Sequence, residues 1–165
     1  MEKVTCDVLI IGGGPAGSVC AMTAKMNFPE KEVVVVREFE HQMVPCAIPY
    51  IFSETLGGTE NNLASCAPVQ KFGITTIVGK INNINIENKT AFMEDREITF
   101  DRLVLATGSK PFVHRSLEHS LKFEGVFTVP KNVAYIDAMQ AYTDSKKSIV
   151  VVGTGFIGIE MAMEF

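Results

Sequence analysis

The sequence predicts an α/β chain built on a doubly wound parallel sheet, and three observations predict it. Val8-Leu-Ile-Ile11 runs straight into Gly12-Gly-Gly14-Pro-Ala-Gly17. A second apolar run, Val33-Val-Val-Val36, follows it, and Ser148-Ile-Val-Val-Val152-Gly153-Thr-Gly155-Phe-Ile-Gly158 repeats the opening device far along the chain. Apolar runs without alternation fit strands of a parallel sheet covered on both faces. A glycine turn between such a strand and a helical pattern is the Rossmann device for holding a dinucleotide pyrophosphate. A lone GxGxxG is weak evidence, but two copies that each follow four apolar residues are strong evidence.

Residues 8–11 are expected as the central strand. Gly12 makes the tight turn, Gly14 leaves room for the pyrophosphate, and Gly17 lets the new helix pack closely on the sheet. Pro15 suits the first helical position, where its missing N–H costs nothing, and Ala16 keeps the start small. Unpaired N–H groups and the positive end of the helix dipole favour an anionic ligand there. Asn27 and Pro29 stop this helix after about Met26. The second strand closes on Arg37-Glu38. Glu38, 26 positions after Gly12 (38 minus 12), is the acid expected to accept from the ribose hydroxyls, against the plainer reading of a solvated strand-end carboxylate. Arg37 has two readings, a side chain that lies over the adenine or attracts phosphate and, favoured over it, a surface arginine beside an acid.

Prolines flank Cys46 in Val44-Pro45-Cys46-Ala-Ile-Pro49-Tyr50, so the thiol is expected on an irregular segment beside the carboxyl edge of the sheet. A helix resuming near Tyr50 is expected to stabilise its thiolate. The alternative is an inert, half-buried cysteine, the reading also given to Cys6 and Cys20. Asn62 is expected to cap a short helix that carries Cys66 and ends near Gly73. Short β-runs at 74–78, 81–86, 90–93 and 98–100 predict an inserted antiparallel meander, and 101–106 a further buried strand ending in Thr107-Gly108. Residues 112–129 read as a connector. Pro130-Lys-Asn132 opens a helix with apolar positions 133, 136 and 139 that ends by Ser145. Strand 148–152, the second glycine turn and a helix close the chain. Residues 148–165 number 18, whereas a complete strand–helix–strand unit needs about 30, which predicts a chain that breaks off inside its second nucleotide unit.

With 165 residues, 47% of them hydrophobic and 21% charged, the composition is that of a globular protein. A net charge of −4 excludes the basic field that nucleic acid or an anionic membrane surface would require. No leader opens the sequence and no apolar run spans a bilayer, so a cytoplasmic protein is expected. Cysteines at 6, 20, 46 and 66 form no CxxC and no metal-ligand spacing.

The two fingerprints, the cysteine just past the first ribose acid and Leu105-Ala-Thr107-Gly108 together resemble the flavin-dependent pyridine nucleotide-disulfide oxidoreductases, over essentially the whole chain. The segment around Cys46 is similar to the single-cysteine branch, with its NADH oxidases and its coenzyme A-disulfide and persulfide reductases. Ile51 and Pro49 stand where two-cysteine branches place the second thiol. Having Met43-Val44-Pro45 before the cysteine and Ala47 after it departs from the branch and argues against coenzyme A as partner.

The resemblance implies an FAD-binding domain over residues 1–112, a connector and helix over 113–147, and the start of an NAD(P)H-binding domain over 148–165. It implies that Gly12, Gly14, Pro15, Ala16 and Gly17 hold the FAD pyrophosphate and Glu38 its ribose. Ile81, on the first long meander strand, would offer backbone to the adenine, and Thr107 and Gly108 would belong to a second flavin contact. Gly153, Gly155 and Gly158 would hold the NAD(P)H pyrophosphate, with Ile157 and Glu160 near the nicotinamide. Cys46 would be the redox centre, passing electrons from NAD(P)H and FAD to a disulfide, persulfide, peroxide or oxygen, in a protein that works as a homodimer. The rival readings are an FAD-dependent electron-transfer reductase without cysteine chemistry and a non-catalytic nucleotide-binding fragment.

Overall fold

Valine and isoleucine dominate the opening strands, and β-branched residues suit a pleated surface whose two faces are both buried. The computed structural model describes residues Met1–Phe165. Its elements in chain order are β1 (Glu2–Ile11), α1 (Pro15–Asn27), β2 (Val33–Arg37), β3 (Gln42–Met43), β4 (Leu63–Ala64), α2 (Ala67–Lys71), β5 (Thr75–Val78), β6 (Asn83–Asn85), β7 (Thr90–Phe92), β8 (Arg96–Leu105), α3 (Val133–Thr143) and α4 (Phe156–Glu164). Single 3-10 turns lie at Pro45–Ala47, Pro49–Phe52, Thr59–Asn62 and Glu118–Lys122. The elements form two compact units, Met1–Gln42 with Ser65–Gly108 and Met43–Ala64 with Ser109–Phe165. No helix is long and apolar enough to cross a membrane.

The first unit is a six-stranded sheet of order β5-β2-β1-β8-β7-β6. β1 lies inside it, parallel to β2 from Val8↔Val33 to Ile11↔Val36 and parallel to β8 from Glu2↔Arg96 to Ile11↔Leu105. Successive β2 side chains point to opposite faces. Val33 and Val35 join Ile10, Ala21 of α1 and Val69 of α2, while Val34 and Val36 join Leu9, Ala91, Ile98 and Phe100. Each fully buried valine contributes on the order of 1.5–3 kcal/mol relative to an exposed one.

Several expectations are corrected here. β5 is not part of the meander: it pairs parallel to β2, and only β6, β7 and β8 run antiparallel. Residues 98–100 and 101–106 belong largely to one ten-residue strand, because β1 supplies a continuous ladder alongside it. That strand is not buried throughout, since Leu105 is 65% exposed. Ile81 is not on a strand but in the loop between β5 and β6, half-buried against the core. Asn62 caps no helix: its Oδ1 accepts from the Val44 backbone N–H, and α2 starts later with Cys66 as its N-cap, so Cys66 precedes the helix.

In the second unit α3 forms as expected, with the Asn132 side chain accepting from Tyr135 N at 2.9 Å. Ile136 and Met139 join Met43, Ile48, Ile51 and Met161 of α4 in one buried cluster, and Val133 packs against it. Residues 148–152 form no strand, and Val150 is 87% exposed. A strand exists through its ladder, and no neighbour hydrogen-bonds to this segment.

Candidate functional site

The first glycine turn leaves β1 through Gly12, whose φ of +113° lies where side chains are strained. Gly12 N donates to Val36 O at 2.8 Å, and Ala106 N donates to Ile11 O at 2.8 Å, so the turn is pinned to the strands on both sides. A Cβ on Gly12 would overlap the Ala106 carbonyl oxygen, and one on Gly17 would overlap the Gly12 carbonyl oxygen. Gly14 is the N-cap of α1, with Pro15 in the first turn, no side-chain cap and no acidic residue there. Its Cβ position is open, the nearest atom being Gln42 Oε1 at 4.0 Å. Unpaired N–H groups at an uncapped, acid-free helix start favour an anion.

Gly12 thus makes the tight turn, Gly17 packs beneath the Gly12 carbonyl, and Gly14 is left open, each by a distinct local geometry. Pro15 and Ala16 are exposed at the helix start, and so are Thr107 and Gly108, the latter at φ +75°. Glu38 is exposed and takes part in none of the chain's ion pairs or side-chain hydrogen bonds, leaving its carboxylate free to accept. Arg37 is not a surface arginine. It is 4% exposed, because it is the last residue of a strand whose every side chain is covered. The loop at Ile81 borders a cleft of about 330 Å3 lined in part by Val78, Lys80 and Asn82.

Sequence reasoning missed Gly13, Ala106 and Gln42. A Cβ on Gly13 would meet Arg37 Cβ at 2.9 Å, so the middle glycine of the run makes room for that side chain. Gln42 Oε1 is buried without a hydrogen-bond partner. An orphaned polar atom beside an open glycine, a helix start without acid and an exposed acceptor at Glu38 together fit the pyrophosphate and ribose of FAD.

The second turn reproduces the first without a strand beside it. Gly153 has φ +118°, Gly155 is the N-cap of α4, and a Cβ on Gly158 would overlap the Gly153 carbonyl oxygen. Ile159 N donates to Gly155 O at 3.0 Å, as Ser18 N donates to Gly14 O at 2.9 Å. Ile157 is exposed and Glu160 half-buried.

Cys46 lies in the second unit, exposed, at the centre of the Pro45–Ala47 turn. It is therefore held in a 3-10 turn rather than on an irregular segment, with Ala47 N donating to Val44 O at 3.0 Å. The helix expected near Tyr50 is only the Pro49–Phe52 turn, which is too short to build a substantial dipole. Gln140 of α3 braces the region, its Nε2 donating to Ile51 O at 2.9 Å and Gly57 O at 3.1 Å. Thr59 Oγ1 donates to Asp137 Oδ1 at 2.6 Å. Cys6, by contrast, is buried, and desolvation followed by the nearby Asp7, Asp101 and Glu32 carboxylates pushes its thiol up to about 12.

Parallel sheet, flanking helices and glycine turn define a Rossmann-type α/β protein. Residues 6–165 match the family model described as pyridine nucleotide-disulphide oxidoreductase, and the chain belongs to that family, whose members use FAD and NAD(P)H. It is 32% identical to an NADH oxidase of Methanocaldococcus jannaschii, covering 93% of this chain and 36% of that protein. It is 34% identical to an NAD(P)H coenzyme A polysulfide/persulfide reductase of Pyrococcus horikoshii, covering 99% and 38%. The reduced CoADR-RHD of Bacillus anthracis superposes with a TM-score of 0.81 at 26% identity, covering 98% of this chain and 31% of that one. The chain thus spans a little over a third of the length of these curated relatives.

Proposed function

We propose that this chain is the FAD-binding part, with the opening of the NAD(P)H-binding part, of a homodimeric cytoplasmic flavoprotein that reduces a small disulfide, persulfide, peroxide or oxygen. The observation that carries the reading is the pair of matched glycine turns, Gly12 to Gly17 and Gly153 to Gly158, each with its first glycine at positive φ and its last beneath the first one's carbonyl. Two such turns suit two dinucleotides. In this reading residues 1–112 begin the FAD domain and residues 148–165 begin the nicotinamide domain.

Gly12, Gly14, Pro15, Ala16 and Gly17 would hold the FAD pyrophosphate, Glu38 the ribose, Ile81 the adenine edge, and Thr107 and Gly108 a further part of the cofactor. Gly153, Gly155 and Gly158 would hold NAD(P)H, with Ile157 and Glu160 beside its nicotinamide. FAD, when bound, supplies two-electron chemistry between a pyridine nucleotide and a sulfur or oxygen acceptor. Cys46 contributes the exposed thiol. Its thiolate attacks one sulfur of a disulfide or persulfide; a new S–S bond forms as the old one breaks, and the departing sulfur takes a proton. Two electrons must then reach the Cys46 sulfur to release the second product and restore the thiolate.

Flavin absorbance and an FAD titration test the cofactor assignment, with Gly14→Val expected to weaken FAD without unfolding the chain. In the intact reductase, Cys46→Ser is expected to abolish disulfide or persulfide reduction while flavin stays bound and reducible by NAD(P)H. Retention of the parental rate in Cys46→Ser leaves an electron-transfer reductase without cysteine chemistry. Absence of flavin and nicotinamide binding leaves a non-catalytic module.

A further inference from the structure

We infer that Arg37, together with the carboxamide of Gln42, binds the pyrophosphate of the adenosine diphosphate half of the dinucleotide on the first glycine turn, so that the main contact from β2 is to phosphate. The inference rests on the flavin reading above and concerns side chains to which that reading gives no role.

Alternation along β2 places Arg37 on the face of Val33 and Val35, and Val36 pairs with Ile11, the last residue before the turn. The Arg37 stem therefore crosses the turn itself. Its Cβ, Cδ and Nε lie 2.9, 3.4 and 3.5 Å from where a Cβ on Gly13 would stand. Nε donates to Phe39 O at 2.9 Å, which fixes the guanidinium plane. The chain's five ion pairs use Lys3, Lys31, Lys89 and Arg96, and none reaches Arg37. Glu38 and Glu40, its acidic neighbours in sequence, are both exposed and unpaired with it.

Arg37 as a residue is 4% exposed and no carboxylate pairs with it, and a buried cation without an anion is a costly arrangement that an anion completes. The planar fork matches phosphate oxygens two at a time. The second observation is independent. Gln42 Oε1 is buried and unsatisfied, 4.0 Å from the open Cβ position of Gly14. A half-turn of that amide presents its NH2 to the same place, adding two donors to an uncapped helix start.

The test compares adenosine, ADP and 2′-AMP by calorimetric titration of the whole chain. The parent is expected to bind ADP more tightly than adenosine by about 10- to 100-fold, the range of a charge-assisted contact. Arg37→Gln is expected to erase that margin while leaving adenosine affinity unchanged, and Arg37→Lys to keep part of it. Gln42→Glu, which sets a carboxylate beside the turn, is expected to weaken ADP and not adenosine. Should Arg37→Gln fail to fold, the Arg37 Nε–H resonance of the parent serves instead, moving with ADP and not with adenosine. The inference is overturned if ADP binds the parent no better than adenosine, if both substitutions keep the margin, if the resonance ignores ADP, or if 2′-AMP and not ADP shows the Arg37-dependent margin. Failure of FAD to bind, with the ADP margin and its Arg37 dependence intact, would remove the flavin reading and leave this one standing.

Discussion

Two thiols in this chain have opposite surroundings, and their chemistry should differ accordingly. Cys46 is exposed, whereas Cys6 is buried with its Sγ 3.7 Å from the Thr99 carbonyl oxygen. Iodoacetamide at pH 8 is expected to alkylate Cys46 within minutes and to leave Cys6 untouched until the protein unfolds, as peptide mass mapping would show. The Cys6 pKa is raised, so the folded chain keeps a proton that the unfolded chain releases near its ordinary 9.0. The stability tied to that proton is complete below pH 9 and lost as pH rises towards about 12. Urea midpoints should fall across this window, and fall less in Cys6→Ala. Gly12→Ala meets both an unfavourable φ and the Ala106 carbonyl, so it is expected to cost about 1–3 kcal/mol or more, read from the same urea curves.

α3 matters to the cysteine through Gln140, which closes two backbone carbonyls of the 45–62 stretch. Gln140→Leu leaves both carbonyls unpaired; we expect a loss of about 1–3 kcal/mol and faster alkylation of Cys46, two readouts that should move together. If alkylation is unchanged while stability falls, the brace does not extend to the Pro45–Ala47 turn. The elements also show why parts of the site were legible in the sequence and others were not. Gly12 and Gly17 could be read because a side chain at either collides with backbone, and Gly14 because it opens the helix that follows the turn. The burial of Arg37 could not, since four valines in a row carry no period-2 phase and nothing said whether 37 or 38 turns toward the glycines. β8 did carry its phase: Ile98 and Phe100 are buried and Thr99 and Asp101 exposed, an alternation that continues across the boundary drawn at residue 101. Residues 148–152 read as a strand from composition alone, but a ladder needs a second strand that composition cannot supply.

At the scale of the molecule, apolar side chains that look like core remain at the surface: Val150, Val152, Phe156 and Met163, with Phe156 88% exposed. Met161, apolar and on the same helix as Phe156 and Met163, is instead buried in one cluster with Ile48 and Ile51. Sedimentation is expected to show concentration-dependent association that weakens when Val150 and Val152 are replaced by threonine. The β1–β8 ladder has a further consequence, in time rather than space. Its partners Glu2 and Arg96 are 94 positions apart (96 minus 2), an interval the ribosome takes roughly 5–20 s to cross. For that interval β1 can pair only with β2, and the edge reserved for β8 presents unpaired backbone to any other nascent chain. Glu2, Lys3 and Asp7, charged residues on an otherwise sticky strand, then act as guards of an unfinished edge, and a change that neutralised them would lower the yield of folded protein more than the stability of what does fold.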